Sequence, residues 1–211
     1  MRVTFLGTGT SYGIPMPGCD CATCRSPDPR DRRFRTAIFV EAGDAALLID
    51  TPPDLRSQCL AHGIRRIDGV LMTHGHADHV FGFDDLRAYT NRMPDPMPVW
   101  ASAGTAATLR KIFDYLDQPP IPGTSLARID LRAADGPFEF RGFRLTPLPA
   151  EHGRADMIGS KIERAGRAFV AIPDCKVLPP ETLALCRGVD LAAIDALRIR
   201  PHPTHMNFDE A

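Results

Sequence analysis

The stretch Thr73-His74-Gly75-His76-Ala77-Asp78-His79 decides the reading of this chain. Three imidazoles and one carboxylate fall within six positions, directly after the apolar run from Ile67 to Met72. A buried strand that ends in such a cluster delivers nitrogen and oxygen donors to one strand edge. Imidazole with carboxylate suits divalent ions of the zinc or manganese kind, and iron and nickel are compatible too. The other four histidines lie elsewhere, so the cluster is neither a tag nor a low-complexity tract. A merely polar, histidine-rich loop accounts poorly for donor type and spacing together.

The His-x-His-x-Asp-His order resembles the signature of the metallo-β-lactamase-fold hydrolases. The resemblance implies an α/β (α+β) fold, an αββα sandwich of two mixed sheets packed face to face with helices outside. It places His74 and His76 on one metal ion, and Asp78 and His79 on a second. It also makes His152, at a strand end after Pro149-Ala150-Glu151, the third ligand of the first ion. Asp174, in Ile172-Pro173-Asp174, matches the carboxylate that bridges both ions; Cys175 follows it where the family more often has Thr. Asp50 matches an outer-shell carboxylate behind the ligands, although a turn-starting Asp before Pro52-Pro53 explains it equally well.

Length and composition set the bounds. A chain of 211 residues suits a single domain spanning 1–211 with a sizeable core of its own. Apolar and charged fractions of 44% and 24% are ordinary for a globular protein. A net charge of −1 offers no global field for nucleic acid. No apolar run approaches membrane-spanning length. Met1 to Leu6 reads directly as the start of a strand rather than a leader, so the expectation is a cytoplasmic protein.

Apolar and β-branched runs place strands at Arg2 to Gly7, Thr36 to Glu41, Ala45 to Ile49, Ile67 to Met72 and Val99 to Ala101. In the second half they lie at Phe138 to Phe140, Phe143 to Leu145, Leu145 to Ala150, Ile158 to Glu163, Ala168 to Ile172 and Leu191 to Ile194. Helices are expected from Asp54, as cap, to about His62, and over Phe83 to Tyr89, Thr105 to Leu116 and Pro179 to Cys186. Asp117 to Ser125 reads as a lid or a plain connector. The long segment from Ser11 to Arg35 holds Cys19, Cys21 and Cys24. Three of six cysteines at C-x-C-x-x-C spacing can take three corners of a zinc tetrahedron, which would staple the loop. Free or redox-active thiols are the alternative.

The cysteine cluster, the HGHADH motif and the late His205 together resemble the PhnP-like cyclic phosphodiesterases. This narrower resemblance implies two active-site ions, Mn or Zn, and a structural zinc at Cys19, Cys21 and Cys24. It puts His205 and Asp78 among the catalytic residues, with His205 near the scissile phosphate. His202 has no counterpart and reads as a turn residue. The implied substrate is a small cyclic phosphodiester such as a phosphoribosyl 1,2-cyclic phosphate. PhnP-like proteins carry a further T-H-x-S-H strand end whose two histidines complete the second metal site and the structural zinc. The expectation is therefore a truncated chain lacking the last strands of one sheet, holding its metals weakly. Rivals of the same fold are a ribonuclease Z-like endonuclease, for which the basic, glycine-rich arm is not found, and a carbonyl-ester or lactone hydrolase. A catalytically silent metal-binding module is the rival outside enzymology. No membrane partner is expected, nucleic acid is disfavoured, and a homodimer stays open.

Overall fold

The computed structural model describes residues 1–119 and 123–211; Pro120, Ile121 and Pro122, within the expected lid or connector, lie outside the described residues. Strands Arg2–Gly7 (β1), Ala37–Ala42 (β2) and Ala45–Ile49 (β3) form an antiparallel run. Gly69–Leu71 (β4), Met97–Ala101 (β5) and Ile129–Ala133 (β6) extend it in parallel, giving the order β1-β2-β3-β4-β5-β6. Its central strands are apolar without polar alternation because both faces are covered. Successive side chains serve two different cores. Phe39, Leu48, Val70 and Val99 join one, while Val40, Leu47, Leu71 and Trp100 join the other.

The second sheet is a meander of Phe138–Phe140 (β7), Phe143–His152 (β8), Ala155–Arg164 (β9) and Arg167–Ile172 (β10). Leu191–Ile194 (β11) adds in parallel to β10, for the order β11-β10-β9-β8-β7. Phe143, Leu145, Ile162 and Phe169 meet Leu47, Ile49 and Trp100 of the first sheet in the inter-sheet core. Helices Leu55–Ala61 (α1), Ala77–Val80 (α2), Arg87–Thr90 (α3) and Ala103–Ile112 (α4) follow strands of the first sheet. Leu55, Val80 and Leu109 pack with its outer face. Pro180–Cys186 (α5) lies on the second sheet, where Thr182 Oγ1 donates to Pro149 O at 2.6 Å. The layers are thus helix, sheet, sheet, helix: the mixed αββα sandwich. Among the described residues no helix is long and apolar enough to cross a membrane.

Several local expectations are corrected. The strand expected over Ile67 to Met72 contracts to β4, because the Asp68 carboxylate takes the Ala46 N–H at 2.7 Å in place of a backbone rung. Asp54 does not cap α1 with its side chain. That carboxylate instead accepts from Arg35 N at 2.9 Å and pairs with the Arg35 guanidinium at 3.0 Å. The Phe83 to Tyr89 helix splits into a 3-10 turn, Phe83–Leu86, and α3. The Thr105 to Leu116 helix starts earlier, at Ala103, because Ser102 Oγ accepts from Thr105 N. It stops at Ile112. Strand β6 went unread because Asp130 and Arg132 interrupt its apolar pattern at the sheet edge.

Candidate functional site

Most of the histidine–carboxylate centre lies at or just beyond the carboxyl end of a strand. Asp50 follows β3, the HGHADH motif follows β4, His152 ends β8, Asp174 follows β10 and Asp195 follows β11. The two halves of the site are joined by backbone, since Ile158 N donates to Thr73 O at 3.0 Å. The motif leaves β4, runs extended to His76 and turns into α2, which carries Asp78 and His79. Gly75 is required by a close approach: a Cβ there would stand 2.8 Å from Thr108 Cγ2 of α4.

Hydrogen bonds behind the rings fix which nitrogen faces the site. His152 Nδ1 is 2.8 Å from the Thr204 carbonyl oxygen, so it donates, and Nε2 keeps its lone pair. His79 Nδ1 donates to Asp50 Oδ2 at 2.7 Å, which turns Nε2 towards the site. Burial opposes charge on this ring, but Asp50 and Asp174 outweigh it and raise its pKa well above 6.5, so a metal at Nε2 would displace a proton there. The Thr73 hydroxyl donates to Asp50 Oδ2 at 2.7 Å and so accepts from His74 Nδ1 at 3.0 Å, freeing His74 Nε2. Asp50 is fully buried, has φ +62, and also accepts from Thr73 N at 2.8 Å. It therefore orients two rings from behind, the outer-shell arrangement that tunes metal ligands.

The free donor atoms converge. His76 Nδ1 lies 2.9 Å from His74 Nε2 and 3.3 Å from His152 Nε2. Asp174 Oδ2 lies 3.7 Å from His74 Nε2, 3.6 Å from His152 Nε2 and 3.4 Å from His79 Nε2. Four donors about 2.0–2.2 Å from one ion would stand roughly 3.3–3.6 Å apart. His74, His76, His152 and Asp174 lie near that spacing, with His74 and His76 closer at 2.9 Å, so the group could hold one ion. Asp78, His79 and Asp174 form an adjoining group sharing the Asp174 carboxylate. Burial, with the neighbouring His79 ring, pushes the His74 pKa down to about 2. Burial and the His152 ring lower that of His76. Both imidazoles stay neutral, as ligands must. Burial opposes charge on Asp174, but the adjoining imidazoles, His79 first, hold its carboxyl well below the usual range.

His205 stands at the rim of this group, its ring 4.6 Å from that of His152. Its Nδ1 bonds Asp195 Oδ2 at 2.7 Å, and Asp195 also accepts from Cys175 N at 3.0 Å. Burial disfavours the charged ring, but Asp195 and Asp174 outweigh it and raise the His205 pKa. Elsewhere, Cys19, Cys21 and Cys24 bring their sulfurs within 4.8 Å of one another. Among the described residues no fourth His, Cys or carboxylate donor lies within that distance of all three. Cys24 Sγ accepts from Met16 N and Cys21 Sγ from Cys24 N, and the latter bond, with the Cys19 thiol, lowers the Cys21 pKa.

The structure places His74, His76, Asp78, His79, His152 and Asp174 in one histidine–carboxylate group with His205 at its rim, and Cys19, Cys21 and Cys24 in a separate thiol group. Sequence reasoning missed the partner of His205. Its signal was Asp195 itself, a carboxylate directly after an apolar strand, as Asp50 is. His202, read as a turn residue, in addition places its ring 4.9 Å from that of His205.

The model of the Beta-lactamase superfamily domain matches residues 46–211. A curated relative named octanoyltransferase, from Porphyromonas gingivalis, is 38% identical over the whole of this chain, which spans 42% of that protein's length. A solved diphosphatase of the PhnP family superposes with a TM-score of 0.88 at 35% identity, covering 99% of this chain and 78% of its own. Zinc-bound PqqB from Methylobacterium extorquens shares the fold, with a TM-score of 0.75 at 24% identity over 95% of this chain and 74% of its own. A family match across most of the chain, together with the relation to that diphosphatase, means that the chain belongs to the β-lactamase superfamily and, within it, to the PhnP family.

Proposed function

We propose that the chain is a metal-dependent hydrolase of phosphoester bonds in small molecules, with a small cyclic phosphodiester such as a phosphoribosyl 1,2-cyclic phosphate as its substrate. One observation carries this reading: ring nitrogens of His74, His76, His79 and His152 gather with Asp174 Oδ2 beside the Asp195-backed His205. In this reading His74, His76, His152 and Asp174 hold one divalent ion, and Asp78, His79 and Asp174 hold a second, zinc or manganese. When bound, such a pair supplies an activated water and neutralises charge on phosphoryl oxygens. Asp78 anchors the second ion and orients the water on that side.

His205 supplies the proton. Asp195 accepts from Nδ1–H, which leaves Nε2 to hold the proton given to the leaving oxygen. Asp195 and Asp174 raise the His205 pKa, which favours the charged acid. A charged acid suits an anionic phosphoester better than a neutral lactone or β-lactam. Cys19, Cys21 and Cys24 hold a structural zinc that orders the long loop between β1 and β2. A net charge of −1 favours a small-molecule substrate over a nucleic acid.

A second reading, acyl thioester hydrolysis, is kept because a curated relative carries the name octanoyltransferase. The test is a substrate panel on the zinc- or manganese-loaded protein: bis-p-nitrophenyl phosphate, a ribose 1,2-cyclic phosphate, a diphosphate ester, an octanoyl thioester, a lactone and a β-lactam. The expected result is turnover of the phosphoesters, abolished by His76→Ala. Turnover of the thioester alone would move the assignment to acyl chemistry. Metal binding without turnover of any of them would leave a binding module.

A further inference from the structure

Six of the seven histidines meet in one place, and only five of those six have a role so far. The sixth, His202, sits on a segment that is pinned at both ends. Leu197 N donates to Met206 O at 3.0 Å, Arg198 bridges to Asn207, and Met206 N donates to Cys175 O at 2.7 Å. Between those pins the Arg198 guanidinium donates to the carbonyls of Arg200 and Pro201 at 3.1 and 2.7 Å. Prolines on both sides of His202 restrict its backbone further. The same segment touches the proposed metal centre, because Thr204 O takes the Nδ1 proton of His152.

The tautomer of His202 follows from its partner. Thr204 N, a backbone N–H that can only donate, points at His202 Nδ1 at 3.3 Å. Nδ1 is therefore the acceptor, and the proton of the neutral ring is on Nε2. Burial, then the charges of His205 and Arg198, push the His202 pKa down, so the ring stays neutral at neutral pH. Among the described residues Nε2 of His202 has no hydrogen-bond partner, and the ring is partly exposed. A segment pinned at both ends thus carries one neutral N–H next to His205, with the two rings 4.9 Å apart.

We propose that His202 is a substrate-positioning residue whose Nε2–H donates a hydrogen bond to a phosphoryl oxygen of the bound phosphoester. The proposal rests on the phosphoesterase reading above. A phosphoryl group offers acceptors only, and a neutral donor orients it without adding a second cation beside His205. Such a contact exists before and during the reaction, so its loss raises KM and leaves kcat much less affected.

Two substitutions separate this role from a purely structural one. In His202→Asn the amide oxygen falls where Nδ1 was and keeps the bond from Thr204 N, but nothing reaches the Nε2 position. His202→Gln places an amide N–H near the Nε2 position and gives up the turn bond. With bis-p-nitrophenyl phosphate as substrate and inorganic phosphate as ligand by calorimetry, His202→Asn should raise KM and weaken phosphate binding by about 10- to 100-fold. His202→Gln should recover most of that loss. A nitrogen-15 spectrum of the histidine side chains should show His202 protonated at Nε2 without any metal added. The proposal is overturned if His202→Asn matches wild type in KM and phosphate affinity, if His202→Gln is the more damaged of the two, or if the spectrum shows protonated Nδ1. If the metal-loaded wild type neither turns over the phosphodiester nor binds phosphate, the phosphoesterase reading itself fails and this role falls with it.

Discussion

Asp50→Asn removes one charge and keeps the shape. Asp50 Oδ1 accepts from Thr73 N, and Oδ2 accepts from both the Thr73 hydroxyl and His79 Nδ1, at 2.7–2.8 Å, in a fully buried site. An asparagine that keeps the first bond turns its NH2 towards the other two. The threonine hydroxyl can rotate and accept. His79 can satisfy that NH2 only by presenting an unprotonated Nδ1, which holds its remaining proton on Nε2, the nitrogen a metal ion would need. Two charge-assisted bonds are replaced by neutral ones, a loss of roughly 1 kcal/mol each and about 2 kcal/mol together. In the metal-free protein that should lower Tm by roughly 4–8 °C, read by calorimetry in a chelator. Occupancy of the second site should fall further, by about 10- to 100-fold in affinity, as for other lost partners of metal-bound histidines. Competition with a zinc indicator measures it. A folded Asp50→Asn protein that binds two ions with wild-type affinity would refute the claim that Asp50 sets the His79 tautomer.

Asp195→Asn tests the proton donor. Asp195 and Asp174 hold the His205 pKa above its ordinary 6.5 against burial, so the stabilising pairing is complete below about 6.5 and is lost as pH rises through the folded value. The alkaline limb of the kcat profile should therefore move to lower pH in the variant; an unmoved limb would remove His205 from acid catalysis. Cys24→Ser should cost one zinc per chain by metal analysis and expose the loop between β1 and β2 to protease, with the histidine centre still loaded. Retention of that zinc would show that the thiols do not hold it. Gly82→Ala places a Cβ 2.0 Å from the Pro52 carbonyl oxygen and should destabilise by about 1–3 kcal/mol. An unchanged thermal midpoint would contradict the packing of α2 against the turn after β3.

The HGHADH motif was legible because its donors are neighbours in sequence. His74, His76, Asp78 and His79 leave one strand together, and no tertiary information is needed to bring them together. The central strands were legible for a similar reason, since burial on both faces leaves continuous apolar runs such as Ala45–Ile49. Resemblance, not pattern, reached His152, Asp174 and His205, each a single polar residue at a strand end or in a loop. The edge strand β6 has no apolar pattern to mark it, and the Asp54 side chain, expected as a helix cap, pairs elsewhere, because neighbours distant in sequence decide their environment. Asp54 lies 19 positions from Arg35, with which it pairs.

By itself, the sequence determined which donor types exist and which of them travel together, because residue identity and short spacing are properties of the chain alone. Only the tertiary structure decided what each donor is prepared to do. His79 takes its tautomer from Asp50, 29 residues away, and His152 takes its own from Thr204, 52 residues away. The proposed donor role of His202 rests on Thr204 and His205 lying beside it, which the sequence alone does not show. A histidine offers either ring nitrogen, and the hydrogen bond behind it makes the choice; that bond exists only after the sheets have packed.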